Sequence, residues 1–420
     1  MKEQIVKIVE KYAKYKIDKN LNLPYHDGVV YPQPEDGKKY LLYLHIPFCK
    51  VFCPYCSFHK YSFNEQKARE YFKMLRKEIK LAKEKGFDFA SVYIGGGTPT
   101  ILPDELAKTI DLVRELFDIK ELSCEADPDI SDELIELLKD RVDRLSVGIQ
   151  SLDDERLKQT KRCEKFGTAN EQIENIKKLI KNFKIVNCDL IFNFPDQTKE
   201  DILDDIRKLK ELSPPQISMY PLMYSPSVKS DIEKNMGKIA NTKEFELYQV
   251  ILEELSDGYV QNSCWAFSKQ GISLIDEYVV DHIEYLGLGS GAFGFIKDTL
   301  YINTFALDEY KKKVESGLLS TQRHKIYSQK EILNYRLMVD MFGLDFSIEK
   351  LLKKYGKEAK QKLFFELFLL KLFKITDKNY KLTTFGKYIF LVLMKEFYIG
   401  MDLVRETSRQ GIDRFGLIIK

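Results

Sequence analysis

A chain of 420 residues with 66 basic and 64 acidic side chains, a formal net charge of +2 and 44% apolar residues reads as a globular protein of two to three domains. The near-balance of charge excludes the positive excess that sequence-independent nucleic-acid binding draws on. The longest apolar run, LFFELFLLKLF (363–373), is broken by Glu366 and Lys371. It is too short to span a bilayer and reads as a buried helix.

The opening MKEQIVKIVEKYAKYKIDKN has neither the apolar core nor the cleavage site of a secretory signal, so a cytoplasmic location is expected. In that reducing setting the seven cysteines are not a disulfide framework, and the clustering of three of them reads as metal binding or catalysis. From residue 41 to about 225, six short apolar runs follow: YLLYLHI (40–46), SVYIGG (91–96), LSCEAD (122–127), RLSVGIQ (144–150), NCDLIFNF (187–194) and QISMYPLM (216–223). Amphipathic stretches such as EQKAREYFKMLRKEIKLAKEK (65–85) lie between them, with apolar residues at three- and four-residue steps. Six such alternations predict a parallel sheet with right-handed crossovers, barrel-like or doubly wound. Ligands in either arrangement sit at the C-terminal ends of the strands. The cysteines, GGGTP, CEADP, GIQS and DLIFNFP fall at those ends in turn. Glycines and prolines end strands in any α/β protein, so GGGTP and NFPDQ alone add little.

Beyond Ser225 the alternation ends. Residues 240–257 read as helix, and YVQNSCWAF (259–267) and YLGLGSGAFG (285–294) as strand with a glycine-rich turn. From Ser328 onward the pattern is helical, with a hairpin expected at KITDKNYKLT (374–383) that is similar to a small winged-helix unit. There is no clear internal repeat or low-complexity segment.

Cys49, Cys53 and Cys56 are spaced C-x3-C-x2-C, and no fourth cysteine follows. A [4Fe–4S] cluster that only carries electrons is closed by four thiolates. Three thiolates leave one iron with an open position, by the logic that separates catalytic from structural zinc sites. On spacing alone, zinc held by Cys49, Cys53, Cys56 and His59, or a chance cluster in the core, are alternatives. Tyr55 stands between two of the cysteines and Tyr43 lies two residues before His45; such rings can flank an adenine and shield a cluster. Gly95-Gly96-Gly97-Thr98-Pro99 strips away side chains, so backbone N–H and C=O groups can approach a ligand. The run lacks the lysine of a phosphate loop and is not GxGxxG.

The three cysteines, the aromatic before the third and the following GGGTP resemble the radical S-adenosylmethionine (SAM) enzymes. More narrowly, YLHIPFCKVFCPYCSF, YIGGGTP, EADPD, RLSVGIQS, CDLIFNFPDQT and YLGLGSGAFG resemble the oxygen-independent coproporphyrinogen III oxidase-like group, in order, from about residue 40 to 310. The first 40 and last 90 residues match weakly. The resemblance implies an α/β fold with a partial (β/α)6 TIM-like barrel and a mainly helical, winged-helix-like C-terminal region. The chain then divides into an N-terminal helical extension (1–40), a radical SAM core (41–235), a substrate-covering α+β region (236–327) and a helical C-terminal domain (328–420).

The same resemblance implies that Cys49, Cys53 and Cys56 hold a [4Fe–4S] cluster whose open iron takes the amino group and carboxylate of SAM. A cluster near roughly −400 mV would cleave SAM to methionine and a 5′-deoxyadenosyl radical, which abstracts hydrogen from the substrate. The SAM contacts fall on Tyr43, Tyr55, Gly96, Gly97, Thr98, Glu125, Gln150, Arg162 and Asp189. Arg162 suits a carboxylate, and Glu125 and Asp189 suit an ammonium or ribose hydroxyls. Structural roles are open beside these: turn capping for Glu125 and Asp189, backbone satisfaction for Gln150, and a solvated surface for Arg162. His26, His59 and His324 read as surface or turn residues.

The group mostly handles tetrapyrroles, so haem or coproporphyrinogen III is the substrate class implied. Oxidases proper carry a further cysteine two positions after the third ligand, where this chain has Phe58. Haem-chaperone-like members carry His-Asn-x-x-Tyr-Trp before the YLGLG turn, where IDEYVV (275–280) has no histidine. LLYLHIPFC, SFNE (62–65), NSCWA (262–266) and LGSGAFG resemble the anaerobic haem-utilisation methyltransferases most, although EADPD looks more like the other two kinds. The sequence reading favours the methyltransferase, which implies a second SAM as methyl donor; the oxidase and a haem-binding chaperone are the alternatives. Trp265 and the aromatics of SMYPLMY (218–224) either line a flat pocket or pack in the core. Cys124, Cys163 and Cys188 read as structural, as does Cys264, for which ligation of haem iron is the alternative. No segment resembles a flavodoxin or ferredoxin, so such a protein is expected as a separate electron donor. Oxygen destroys an open-site cluster, so activity is expected only anaerobically.

Overall fold

The computed structural model describes residues 2–24, 33–239, 243–272, 280, 282 and 284–418. His26 and residues 275–279 of the IDEYVV stretch lie outside the described residues. Six strands, β1 (Lys39–Ile46), β2 (Asp88–Gly96), β3 (Glu121–Ala126), β4 (Arg144–Gln150), β5 (Ile185–Phe192) and β6 (Gln216–Pro221), lie side by side in chain order, all parallel. They coincide with the six expected runs, their ends shifted by a few residues. Leu42, Leu44, Val92, Ile94, Leu122, Leu145, Val147, Val186, Leu190 and Ile217 are all buried. Both faces of a parallel sheet are covered, which is why these strands read as continuous apolar runs. The crossover helices start at side-chain caps: Asn64 accepts from the Lys67 amide, and Thr168 and Thr198 form capping boxes with Glu171 and Asp201.

The remaining strands extend the sheet on both sides. β7 (Val260–Gln261) and β8 (Ala266–Ser268) add antiparallel next to β6, while β9 (Tyr285–Leu288) joins parallel to β1. β10 (Phe293–Ile296), β11 (Thr299–Asn303) and β12 (Thr321–Ile326) follow as an antiparallel meander. The twelve-stranded order is β12-β11-β10-β9-β1-β2-β3-β4-β5-β6-β8-β7. Among the described residues β12 and β7, at the two ends of this order, do not pair with each other. Gly287 permits the tight β9–β10 reversal, because a Cβ there would stand 1.9 Å from the Phe293 carbonyl oxygen.

The C-terminal region is helical, as expected, and its hairpin is a single antiparallel bridge between Thr376 and Leu382. Three helices matter below: α1 (Lys2–Asn20), α2 (Phe364–Leu372) and α3 (Thr384–Ser408). Gly400 lets α3 lie against α1, since a Cβ would meet Ile17 Cγ2 at 2.1 Å. A buried ion pair, Lys395 Nζ to Glu244 at 2.7 and 2.8 Å, ties α3 to the helix Glu244–Leu255, and the Tyr388 hydroxyl donates to the same carboxylate at 3.1 Å. Burial works against the Lys395 charge, and Glu244 more than restores it.

One expectation is corrected here, and one open alternative is decided. The run 363–373 forms helix but is not a buried one: only Leu363, Leu367 and Leu370 are covered, and four phenylalanines and Leu372 face outward. Its length fits a helix between two lysine-rich segments, and a nine-residue helix has room to bury only one narrow face. Trp265 takes the core alternative, fully buried against Phe342 and Tyr220 at 4.5 and 5.1 Å between ring centres.

Candidate active site

The C-terminal ends of β1 to β6 open on one cavity of about 300 Å³. Each strand contributes to it: Tyr43 from β1, Tyr93 and Gly96 from β2, Glu125 from β3, Gln150 from β4, Asp189 from β5 and Tyr220 from β6. The loop after β1 brings Cys49, Cys53, Tyr55 and Cys56; Gly97 and Thr98 follow β2; Arg162 follows β4. The structure thus gathers around a single space all of the residues expected to hold the cluster and SAM.

Backbone geometry explains the glycines. A Cβ on Gly97 would stand 2.7 Å from the Phe48 carbonyl oxygen and 3.0 Å from Cys49 Sγ, so only glycine lets the cysteine loop close over the end of β2. A Cβ on Gly95 would meet Glu125 Oε1 at 2.7 Å. That space is used by Glu125 itself, which accepts from the Gly96 amide at 3.0 Å and from the Tyr93 hydroxyl at 3.2 Å. Gln150 has a φ of +74° where β4 bulges against β5, a left-handed conformation that costs a non-glycine residue energy and concentrates at functional sites. Asp189 accepts from Ser146 Oγ at 2.8 Å and from Asn187 Nδ2 at 2.5 Å.

Arg162 is not on a solvated surface. It is buried, with its guanidinium 4.5 Å above the Phe166 ring. Nη1 donates to Tyr55 Oη at 3.4 Å and to Cys53 Sγ at 3.6 Å, and Nη2 donates to the Gly148 carbonyl. Burial disfavours its charge, but Tyr55, Cys53 and Asp127 hold it protonated. Its Nε has no hydrogen-bond partner, an unspent buried donor beside the cavity.

The thiols are free. Burial, with Cys56 adding to it, pushes the Cys49 thiol up to about 12, while the Thr98 hydroxyl, 3.7 Å from Sγ, works the other way. A metal bound by Cys49 would therefore have to displace a proton. The zinc alternative counts His59 as its fourth ligand, and that residue is not among those lining the cavity with the cysteines. His59, expected at the surface, is fully buried and turned into the core: it lies 4.8 Å from Tyr61, 4.7 Å from Phe305 and 5.3 Å from His45, ring centre to ring centre. His324 is half-buried on β12, stacked on Tyr301. Three free thiols around a glycine cradle, with an arginine donor unspent, fit a cluster and an amino-acid carboxylate.

Several lining residues were missed by sequence reasoning. Tyr93 was findable, since it lies two residues before Gly95 on a strand whose alternate residues share a face. Asp127, paired with Lys165 at 3.2 Å, sits inside the EADPD motif already quoted. Tyr398, Asp402 and Arg405 come from α3, where no motif marks them. Arg405 is held 5.1 Å from Phe58 and 5.2 Å from Phe293 and is paired with Asp402.

The sequence profile of the Radical SAM superfamily matches residues 43–209. The heme chaperone HemW of Lactococcus lactis is 30% identical over 282 residues, covering 64% of this chain and 73% of that protein. HemW of Bacillus subtilis is 28% identical over 330 residues, 75% of this chain and 86% of that one. The oxygen-independent coproporphyrinogen III oxidase of Helicobacter pylori is 28% identical over 415 residues, 89% of this chain and 87% of that one. Among solved structures, the Escherichia coli coproporphyrinogen III oxidase HemN, a radical SAM enzyme, shares the fold with a TM-score of 0.71 at 22% identity, over 86% of this chain and 90% of that one. The chain belongs to the radical SAM superfamily, whose members use a [4Fe–4S] cluster and SAM, and within it to the group of oxygen-independent coproporphyrinogen III oxidases and HemW haem chaperones.

Proposed function

We propose that this protein is a radical SAM enzyme acting on a tetrapyrrole, with Cys49, Cys53 and Cys56 as the cluster ligands. The observation that carries the reading is the meeting of three free thiols with Glu125, Gln150, Arg162 and Asp189 at successive strand ends of one cavity. Bound there, the cofactors supply one-electron cleavage of SAM and hydrogen abstraction from the substrate. Arg162 offers Nε to the carboxylate of SAM; Glu125 and Asp189 accept from its ammonium and ribose hydroxyls; Gly96, Gly97 and Thr98 leave room for the methionine end. Tyr43 and Tyr55 flank the bound cofactors and keep water out.

Relatives named for haem and for coproporphyrinogen III support a tetrapyrrole as substrate. The reaction we favour is anaerobic opening of haem with methyl transfer from a second SAM, on the likeness of LLYLHIPFC, SFNE (62–65), NSCWA (262–266) and LGSGAFG to such enzymes; Phe58, at the place of the oxidases' further cysteine, weakens the oxidase reading. Oxidative decarboxylation of coproporphyrinogen III is the second reading, favoured by the near full-length match to the Helicobacter pylori oxidase. A separate flavodoxin or ferredoxin delivers the electron.

The test is an anaerobic reaction of reconstituted protein with dithionite and SAM, with haem and coproporphyrinogen III offered separately and Cys53→Ala as control, read by mass spectrometry. Haem-dependent 5′-deoxyadenosine and S-adenosylhomocysteine with a methylated linear tetrapyrrole is the expected result. Decarboxylated coproporphyrinogen without S-adenosylhomocysteine selects the second reading. Haem bound without SAM cleavage would sink both in favour of a chaperone.

A further inference from the structure

Residues 348–381 carry ten lysines against four acidic residues, in a chain whose whole net charge is +2. The rest of the molecule is therefore net negative, and this segment carries a local positive excess. Within it, α2 exposes Phe364 (69%), Phe365 (64%), Phe368 (50%) and Leu372 (56%), with Phe373 (42%) just beyond. The first four fall on one face of the helix, opposite the buried Leu367 and Leu370 that anchor it. Exposed apolar residues are ordinarily scattered; five large ones side by side mark a contact surface.

The lysines decide what it contacts. Lys353, Lys357, Lys360, Lys374, Lys378 and Lys381 are exposed, and among the described residues none is in an ion pair. We propose that this face docks peripherally on an anionic lipid surface. The phenyl rings enter the boundary between headgroups and acyl chains, and the lysines pair with lipid phosphates. No described helix is long and apolar enough to cross a membrane, so the contact is interfacial.

Other occupants fit less well. A nucleic acid offers phosphates to the lysines but no apolar layer for five contiguous side chains. An acidic electron donor must approach the cysteine loop, and this patch sits at the wrong end of α3. Gly386, in the first turn of α3, packs on the Ile375 carbonyl beside α2, whereas Tyr398, Asp402 and Arg405 line the cavity. Roughly 18 Å of helix separates Gly386 from Tyr398.

The experiment is sedimentation of the full-length, cluster-reconstituted protein with vesicles of phosphatidylcholine containing phosphatidylglycerol, against phosphatidylcholine alone. Binding to the anionic vesicles is expected to be stronger by about tenfold or more and to weaken with salt. The triple variant Phe364→Ser/Phe365→Ser/Phe368→Ser and the triple variant Lys374→Glu/Lys378→Glu/Lys381→Glu should each lose about tenfold in binding. Both should retain wild-type circular dichroism and SAM cleavage, since none of these residues reaches the cavity. Equal binding to both vesicles, unchanged binding by the phenylalanine variant, or a wild-type dimer that this variant dissolves would each overturn the proposal.

Discussion

His45 does not line the cavity, yet it sets the hydroxyl of a residue that does. Its Nε2 lies 3.0 Å from the His59 carbonyl oxygen, which can only accept, so Nε2 carries the proton and Nδ1 accepts from the Tyr43 hydroxyl at 2.9 Å. Burial pushes the His45 imidazole down to about 3 and depresses His59 too, with His45 beside it adding to the effect. An unfolded histidine takes its proton near pH 6.5, as about usual for the free side chain. Between that value and about 3 the unfolded chain binds a proton that folded His45 refuses. The neutral ring's contribution is thus fully present above about pH 6.5 and declines as pH falls through that window. Denaturant midpoints measured across pH should show wild type losing more stability on acidification than His45→Gln, by up to about 1.4 kcal/mol per pH unit. Identical slopes would mean that His45 ionises within the fold.

Among the elements, the loop between β1 and the helix Glu65–Glu84 depends most on its neighbour. Gly97 is the contact: Gly97→Ala places a methyl against Cys49 Sγ and the Phe48 carbonyl. Overpacking of this kind costs about 1–3 kcal/mol, too little to unfold the chain but enough to displace one thiol. Gly97→Ala is expected to fold and yet retain well under half of the wild-type iron after reconstitution, measured by iron content and visible absorbance; full iron loading would count against the cysteine assignment. This part of the molecule was legible in sequence because strand ends, glycines and cysteines carry local signals. The alternation of apolar runs gave the parallel strands, and spacing gave the thiols. β9 was read as a strand but not as a parallel neighbour of β1, because partner choice across more than 230 residues leaves no local trace. The exposure of α2 was misread for a related reason: an apolar run states that burial is favourable, not that a partner is present within the chain.

At the scale of the whole molecule, α3 links the two ends of the protein. Its middle is held by the Lys395–Glu244 pair, and its later turns place Asp402 and Arg405 in the cavity wall. Burial raises the Asp402 carboxyl, and Arg405 opposes that shift. Clamped between Phe58 and Phe293, Arg405 presents a fork suited to a substrate propionate. Arg405→Ala should raise the KM for the tetrapyrrole by about tenfold or more while leaving the iron content unchanged. The dimethyl ester of the substrate should not distinguish the variant from wild type, and an equal penalty on the ester would assign Arg405 a purely structural role.

The proposed chemistry requires three thiols holding a cluster with one open position. Electron paramagnetic resonance of the anaerobically reconstituted, dithionite-reduced protein, recorded with and without SAM, reads that position directly. A [4Fe–4S]⁺ signal that changes shape when SAM is added, and that is absent from Cys53→Ala, is the predicted result. A colourless protein, or a cluster signal indifferent to SAM, would contradict it.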